Sequence, residues 1–315
     1  AKDNLSKLTR KSLRLEETFR RAEQGHAYAQ NELGVLYRNG RGVPQDDQES
    51  AKWFQLAADQ GYAYAQNELG VLYLNGRGVP QDDQESAKWF QLAADQGNAE
   101  AKDHLGKLRR KFLRFEETLY RAQQGDSRAQ NTLAVKYLQG EGVSRDDRKS
   151  AKWFQLAAEQ GNANAQFNLG WLYQNGRGVP QDDQEALKWY RMASGQGLAM
   201  AQSSMGVLYS NGRGVSKDYQ EAAKWFQLAA DQGDAYAQNE LGLLYNYGAG
   251  VPENKVLAYM WTTLASSKLI GEKRKRCIKR LAELEGVMGR EQVSEAQHLS
   301  REWKPGMSSL ASINR

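Results

Sequence analysis

The chain has 315 residues, of which 40% are hydrophobic and 26% charged, a composition that predicts a folded protein and excludes a low-complexity one. Its net charge of +5 permits an acidic partner without requiring nucleic acid. Cys277 is the only cysteine, which excludes an intrachain disulfide, and no apolar run approaches the roughly 18 residues of a membrane-spanning helix.

The first element is a segment that the chain contains twice. Residues 1–25, AKDNLSKLTRKSLRLEETFRRAEQG, match residues 101–125, AKDHLGKLRRKFLRFEETLYRAQQG, at an offset of 100. Ser12 stands where the second copy has Phe112, and Arg20 where it has Tyr120. Because polar residues replace apolar ones, we expect residues 1–26 to form a short capping repeat with one side in water. The sequence starts at Ala1 without a methionine or a recognisable signal peptide, so we expect that something was removed by processing or by cloning.

Six longer units of similar sequence follow. Successive units lie 36 residues apart, except for one step of 64 that leaves room for a shortened unit at 99–126. Such self-similarity is typical of repeat architectures. The full units start at Ala27, Ala63, Ser127, Ala163, Ala199 and Ala235.

Each full unit predicts two helices. Ala29, Leu33, Leu36 and Tyr37 recur at the spacing of one face of an amphipathic helix, and the same pattern begins again at Ser50. One such hairpin cannot bury its own apolar face, so the units must stack on one another. The sequence therefore predicts an all-α fold, a right-handed α/α superhelical solenoid of stacked antiparallel helix hairpins.

Between the two helices lies the phrase NGRGVPQDDQE, at 39–49, 75–85 and 175–185. It lacks the preceding strand and the Lys-Ser/Thr pair of a phosphate-binding loop, and the alternating oxygen ligands of an EF-hand. We interpret it as an elbow. Gly40 and Gly42 allow a positive φ at the end of the first helix, and Asp46 with Glu49 forms a D-x-x-E cap over the second.

The shortened unit at 99–126 has lost this elbow. Leu105, Leu108, Phe112, Phe115 and Leu119 recur at spacings of three and four without a helix breaker. This pattern favours one long helix from about 101 to 124, and the alternative is two helices with a tight corner.

The pattern AQ…LG..Y…G.GV…D….WF..AA..G recurs in register six times and resembles the Sel1-like repeat (SLR) family, a bacterial family of α-solenoids related to tetratricopeptide repeats. The resemblance implies two repeats at 27–98, four at 127–270, capping helices at 271–304 and a flexible tail at 305–315. The repeats lack the cysteines of the disulfide-linked branch, so the chain is similar to the cysteine-poor branch.

The resemblance also implies a non-catalytic scaffold or adaptor that binds a partner protein through the concave face formed by the first helices. Phe167 and Trp171 replace the Asn and Val of most other units, so we expect the strongest contacts across the units at 163–247. The alternative is that both side chains fill a gap between units. The predicted contact residues are Tyr28, Tyr64, Arg128, Asn131, Asn164, Phe167, Trp171, Gln174, Met200, Ser203, Tyr236, Asn239 and Tyr247.

The sequence is also compatible with other functions. The resemblance allows an immunity protein that neutralises a secreted toxin, possibly a lipase effector, or an assembly scaffold without a single client. The basic stretches at 107–114 and 272–280 allow binding to nucleic acid or an acidic surface, but no aromatic residues suited to base stacking interleave them.

Catalysis has few candidate residues. The histidines, His26, His104 and His298, occupy unrelated positions, and no metalloprotease, nucleophile-elbow or Cys-His pattern occurs. The cations around Cys277 would lower the pKa of an exposed thiol, although an inert thiol is the preferred interpretation. We therefore expect no enzyme activity, no cofactor and no metal, and favour the bacterial periplasm or export over the cytoplasm.

Overall fold

The computed structural model describes the backbone of residues 2–306 and the side chains from Leu13 to Gly306. This part of the chain is helical throughout and contains no strand. Most of the predicted tail at 305–315 lies outside the described residues. The helices are α1 Lys2–Glu23, α2 Ala27–Asn39, α3 Asp47–Asp59, α4 Ala63–Asn75, α5 Asp83–Asp95, α6 Ala99–Gln123, α7 Ser127–Gln139, α8 Asp147–Glu159, α9 Ala163–Asn175, α10 Asp183–Gly195, α11 Ala199–Asn211, α12 Tyr219–Asp231, α13 Ala235–Tyr247, α14 Lys255–Lys268, α15 Gly271–Val287 and α16 Arg290–Glu302.

The chain divides into two compact units, the first ending at Ser150 and the second beginning at Ala151. From α1 to α7 in the first unit and from α9 to α15 in the second, each helix packs against the next one along the chain, so that antiparallel hairpins stack in sequence order. The predicted fold class, an all-α solenoid of helix hairpins, is confirmed.

The repeated phrase forms the elbow of each hairpin. Gly40 ends α2 with a φ of 63°, and the Asp46 N–H returns to donate to the Tyr37 carbonyl at 3.0 Å. Asp46 Oδ1 then accepts from the N–H groups of Gln48 and Glu49 at 2.9 and 3.0 Å, which caps α3. The predicted capping contribution of the Glu49 carboxylate is wrong, because that carboxylate accepts from Lys52 Nζ at 3.3 Å instead.

Within a hairpin the two helices approach closely at a glycine. Gly34 of α2 lies against the ring of Phe54 on α3, and Gly70 of α4 lies in the same way against Phe90 on α5. Both phenylalanines are fully buried. The small residue is needed because the aromatic ring occupies the space that a Cβ would fill.

A pair of glutamines joins the two helices of a repeat and ties them to the helix that precedes the repeat. The buried Gln30 donates to the carbonyl of Ala22 at 3.1 Å and accepts from Gln60 Nε2 at 2.6 Å. This arrangement satisfies a buried amide, which would otherwise destabilise the fold. It recurs between Gln66 and Gln96, Gln166 and Gln196, and Gln202 and Gln232.

The shortened unit is one continuous helix, α6, which is the first of the two alternatives considered for it. Leu105 and Leu108 of α6 pack against Phe90 and Ala93 of α5. The C-terminal helices α15 and α16 both pack on α14, where Trp303 contacts Trp261 edge to face at 5.9 Å between ring centroids.

Candidate functional site: the first-helix face

The second residue of the first helix in each full repeat points to solvent. In all six repeats this side chain is exposed, whereas the residue that follows it is buried. The helical period places this exposed position on the side of the first helix opposite the core. We call this surface, in each unit by itself, the first-helix face, which is defined by Tyr28, Tyr64 and Arg128 in the first unit and by Asn164, Met200 and Tyr236 in the second.

In the first unit this face carries a cluster of three tyrosines. The ring centroid of Tyr62 lies 6.4 Å from that of Tyr28 and 6.1 Å from that of Tyr64. Tyr28 is 56% exposed and Tyr64 65% exposed. The Tyr28 hydroxyl donates to Glu32 Oε1 at 3.2 Å, and partial burial raises the pKa of Tyr62. We call Tyr28, Tyr62 and Tyr64 the tyrosine row.

Sequence reasoning missed Tyr62, because this residue precedes α4 and belongs to no helical stripe. A signal was present in the sequence. The aligned residues at the starts of four other helices, Asn98, Asp126, Asn162 and Asp234, are polar and cap the helix with their side chains, whereas Tyr62 does not. Instead of capping the helix, Tyr62 contacts the rings of Tyr28 and Tyr64.

Two predicted contact residues do not lie on the free surface. Ser203 is only 6% exposed, and its hydroxyl donates at 3.4 Å to Oδ1 of Asp234, the residue that caps α13. Asn239 Oδ1 accepts from Arg280 Nη1 of α15 at 3.1 Å. Both side chains therefore bond to another element of the stack, and their contact with a partner stays a prediction. Asn131, at the equivalent position, is partly buried.

Phe167, Trp171 and Gln174 are also partly buried. Phe167 lies 5.7 Å from the ring of Tyr190, whose hydroxyl donates to Gln174 Oε1 at 2.9 Å. Burial raises the pKa of Tyr190. The guanidinium of Arg177 lies 5.1 Å from the centre of the Trp171 ring. Phe167 and Trp171 both pack on a core cluster that combines residues of their own repeat and of the following one, so the geometry gives them structural contacts in addition to any partner contact.

The remaining predicted residues, Tyr236 and Tyr247, are exposed near the C-terminal helices. Lys273 Nζ of α15 lies 5.5 Å from the ring of Tyr236, and partial burial raises the pKa of that tyrosine to about 12. The Tyr247 ring remains open to solvent. The two residues therefore differ in access, with Tyr236 partly screened by α15.

Part of the positive charge of the basic helices is neutralised locally. Lys107 pairs with Asp103 at 2.6 Å, Lys111 with Asp83 at 2.5 Å, and Lys275 with Glu272 at 2.6 Å. The three lysines belong to α6 and α15, the two basic stretches that allow binding to nucleic acid in the sequence analysis.

Among the described residues, the side chains that could act as nucleophiles or metal ligands do not lie together in one site. Cys277 is fully buried, its thiol donates to Asn239 Oδ1 at 3.3 Å, and burial raises its pKa, so the alternative of a lowered thiol pKa is wrong. His104 stacks on Phe90 with 4.8 Å between ring centroids. Among the described residues no group of His, Cys, Asp and Glu could hold a metal ion. None of the helices between residues 2 and 306 combines the length and apolarity required to cross a membrane.

Comparison with known proteins agrees with this architecture. The Sel1 repeat model matches residues 27–62, 63–98, 127–162, 163–198, 199–234 and 235–268, which together make up more than half of the chain. A Sel1 repeat protein from Oxalobacter formigenes, whose crystal structure is known, is 35% identical over 85% of this chain and 79% of that chain, with a TM-score of 0.50.

Two further crystal structures are more distant. A protective antigen present in uropathogenic Escherichia coli strains, with an SLR fold, is 28% identical over 95% of this chain and 81% of that chain, at a TM-score of 0.38. An immunity protein from Pseudomonas aeruginosa is 19% identical over 74% of this chain and 80% of that chain, at a TM-score of 0.35. Comparison with curated proteins found no match. From the six matched repeats and the similarity to the Oxalobacter protein, we conclude that the chain belongs to the Sel1 repeat family.

Proposed function

We propose that this protein is an interaction scaffold that binds a partner protein through the first-helix face. The Sel1 repeat solenoid is typical of protein-interaction scaffolds and is generally a non-catalytic fold. The observation that carries the proposal is the tyrosine row, in which three neighbouring rings contact one another while two remain more than half exposed.

A tyrosine row suits a protein interface for physical reasons. A tyrosine ring buries a large area on binding while losing the freedom of only two side-chain torsions, so it contributes contact at a low entropic cost. Tyrosine is among the residue types that most often dominate binding energy. The ring contacts with Tyr62 already restrict Tyr28 and Tyr64, which lowers that cost further.

The other exposed positions of the first-helix face belong to the same proposal. Arg128, Asn164 and Met200 are exposed at the position equivalent to Tyr28, and Met200 adds a flexible apolar side chain. Phe167 and Trp171 are only partly exposed. Ser203 and Asn239 are not part of the proposed surface, because each bonds to the next element of the stack.

The test is site-specific photo-crosslinking with a matched control. A photoreactive phenylalanine analogue replaces Tyr64, which is 65% exposed, or Tyr120 on α6, which is 64% exposed. In extract of the source organism we expect a protein partner to crosslink at residue 64 and not at residue 120. The affinity of the purified partner should then fall at least tenfold with Tyr28→Ala and Tyr64→Ala combined, and stay unchanged with Tyr120→Ala. A partner that crosslinks only at residue 120, or that binds all variants equally, contradicts the proposal.

A narrower role, neutralisation of a secreted toxin, stays a prediction about the identity of the partner. If the crosslinked partner is a toxin, the wild-type chain should inhibit its activity at equal molar concentration, and the double tyrosine variant should not. A partner without toxic activity would leave the scaffold proposal intact and exclude this role.

A further inference from the structure

Three of the repeats carry a tyrosine and a glutamate four residues apart on their first helix. The pairs are Tyr28 with Glu32, Tyr64 with Glu68, and Tyr236 with Glu240. At this spacing the two side chains are neighbours on the surface of a helix. The face of a tyrosine ring is negative and the glutamate carries a negative charge, so each pair suits a positively charged group.

In the second unit such a pair already contacts a lysine of this chain. Lys273 Nζ of α15 lies 5.5 Å from the centre of the Tyr236 ring. Burial raises the pKa of Glu240, and the charges of Arg280 and Lys273 act against that rise, so the same lysine also lies close to the carboxylate. This contact shows which kind of group the pair accepts.

In the first unit the two pairs differ from each other. The Glu68 carboxylate forms an ion pair with Arg38 of α2, so its charge is neutralised within the chain. Glu32 instead accepts from the Tyr28 hydroxyl at 3.2 Å, and the pair of Tyr28 and Glu32 therefore keeps its negative charge.

A second carboxylate lies at the other end of the tyrosine row. Asn67, three residues after Tyr64 on α4, donates to Glu100 Oε2 at 3.4 Å. Glu100 takes in α6 the position that Tyr64 takes in α4, and it is exposed. Within residues 13–306, no lysine or arginine lies over a ring of the row or forms an ion pair with Glu32 or Glu100.

The row also groups its rings in a way that suits a cation. The planes of Tyr62 and Tyr64 are inclined by 40°, and the plane of Tyr28 is almost perpendicular to that of Tyr62, at 89°. Rings at different inclinations present their negative faces in more than one direction, and grouped aromatic residues of this kind bind ammonium groups. Tyr28 and Tyr64 are more than half exposed, so a group from outside the chain can reach them.

We propose that the tyrosine row binds a lysine side chain of the partner protein, in the way that Tyr236 contacts Lys273. This inference rests on the proposed scaffold function and adds the chemistry of the partner. The ammonium group lies against the exposed rings beside Glu32, and the alkyl chain of the lysine packs on the row. An acidic group of a partner would be repelled by the two carboxylates, and an apolar one would gain nothing from them.

The probe is the peptide acetyl-Gly-Gly-Lys-Gly-Gly-amide, compared with the same peptide carrying Nε-acetyl-lysine, which has no charge. The full chain is labelled with carbon-13 in its tyrosine rings, and each ring signal is assigned by single substitution with phenylalanine. We expect the signals of Tyr28, Tyr62 and Tyr64 to shift saturably with the lysine peptide, and the acetylated peptide to bind at least fivefold more weakly. The Tyr120 signal is the control and should not move.

Variants of the chain separate the row from other surfaces. Glu32→Gln and Tyr64→Ala should each weaken binding of the lysine peptide at least threefold, whereas Tyr120→Ala should leave it unchanged. Lys273→Ala removes the internal cation of the second unit, so the Tyr236 signal should shift with the lysine peptide in this variant and not in the wild-type chain. Circular dichroism melting checks that all four variants fold.

Each contrary result has a defined meaning. Absence of shifts in the row, equal binding of the acetylated peptide, equal loss with Tyr120→Ala, or an unmoved Tyr236 signal in Lys273→Ala overturns the proposal. Binding of a trimethyl-lysine peptide without binding of the lysine peptide would identify the occupant as a quaternary ammonium group and overturn the assignment to lysine. These experiments use no partner protein, so they can fail while the crosslinking test succeeds, and that result would leave the scaffold proposal intact.

Discussion

The backbone carbonyl of Asp47 packs so closely against Gly78 of the next repeat that no side chain fits at residue 78. Gly78 belongs to the elbow and has a φ of +70°. The neighbouring Arg77 makes a bidentate contact with the Asp47 carboxylate, at 2.8 and 3.1 Å. The elbow thus turns the chain and also holds the second helix of the preceding repeat. The same approach recurs between Gly214 and Asp183 in the second unit.

This relationship predicts different costs for two substitutions of positive-φ glycines. Gly78→Ala must overcome both the backbone conformation and the overlap with Asp47, so we expect a loss of more than about 3 kcal/mol in unfolding free energy. Gly61 has a φ of +84°, but no atom lies within 4 Å of a Cβ added there. Gly61→Ala should therefore lower the unfolding free energy by only about 1–2 kcal/mol. Urea denaturation of both variants measures the difference, and equal losses would contradict the close approach.

A second prediction concerns helical glycines. At Gly70 a Cβ would lie 2.8 Å from the Phe90 ring, so Gly70→Ala should destabilise the chain by about 1–3 kcal/mol. Ala134 occupies the equivalent position in another repeat, which favours the lower half of that range. Gly106→Ala, in the middle of α6 with its nearest atom at 3.9 Å, is the control and should stabilise by up to about 1 kcal/mol. The order of the thermal midpoints checks both expectations.

The pH dependence of stability has a defined sign at Asp126. Hydrogen bonds from the Ala129 N–H and from Arg121 lower the pKa of this carboxyl below its ordinary value. A folded-state pKa below the unfolded one means that the unfolded chain binds more protons, so the contribution is present above the unfolded pKa and is lost as the pH falls through the folded pKa. Asp126→Asn keeps a good helix cap without titrating. We expect a smaller loss of stability between pH 5 and pH 2 in this variant, and an unchanged loss would argue against the assignment.

Cys277 gives a test of packing in the second unit. The thiol is fully buried and its pKa is raised, so the reactive thiolate is disfavoured and the sulfur is shielded. We expect a thiol reagent to modify the native chain far more slowly than the chain in denaturant. Because it is the only cysteine, the reaction needs no background variant. Equal rates in both conditions would mean that the helices packed against α15 do not cover the sulfur.

Partner contact and packing between repeats, the two interpretations of Phe167 and Trp171, predict different effects on affinity and on stability. Each ring packs partly on the following repeat, so Phe167→Ala and Trp171→Ala should each cost about 1–3 kcal/mol in stability, less than for fully buried rings. If the residues serve only packing, partner affinity stays unchanged in variants that are still folded at the assay temperature. A tenfold loss of affinity without further loss of structure would assign them to the interface as well.

Sequence periodicity predicted most of the fold, because regularly spaced apolar residues specify individual helices. The stripe that includes Ala29 and Leu33 specifies α2, and the spacing from Leu105 to Leu119 specifies the uninterrupted α6. The bonds of Ser203 and Asn239 to other elements could not be predicted, because periodicity shows which residues share a side of a helix without showing which neighbouring helix covers that side.

By itself, the amino-acid sequence determined the repeats, their helices and the role of NGRGVPQDDQE as an elbow. These features depend on contacts a few residues apart, such as the bond from Gln48 to Asp46. Only the tertiary structure decided which surfaces stay open. The contact of Gly142 with Asp83 spans 59 residues, and the tyrosine row combines side chains from two repeats. Both depend on how stacked hairpins align, and that alignment is a property of the packed helices together.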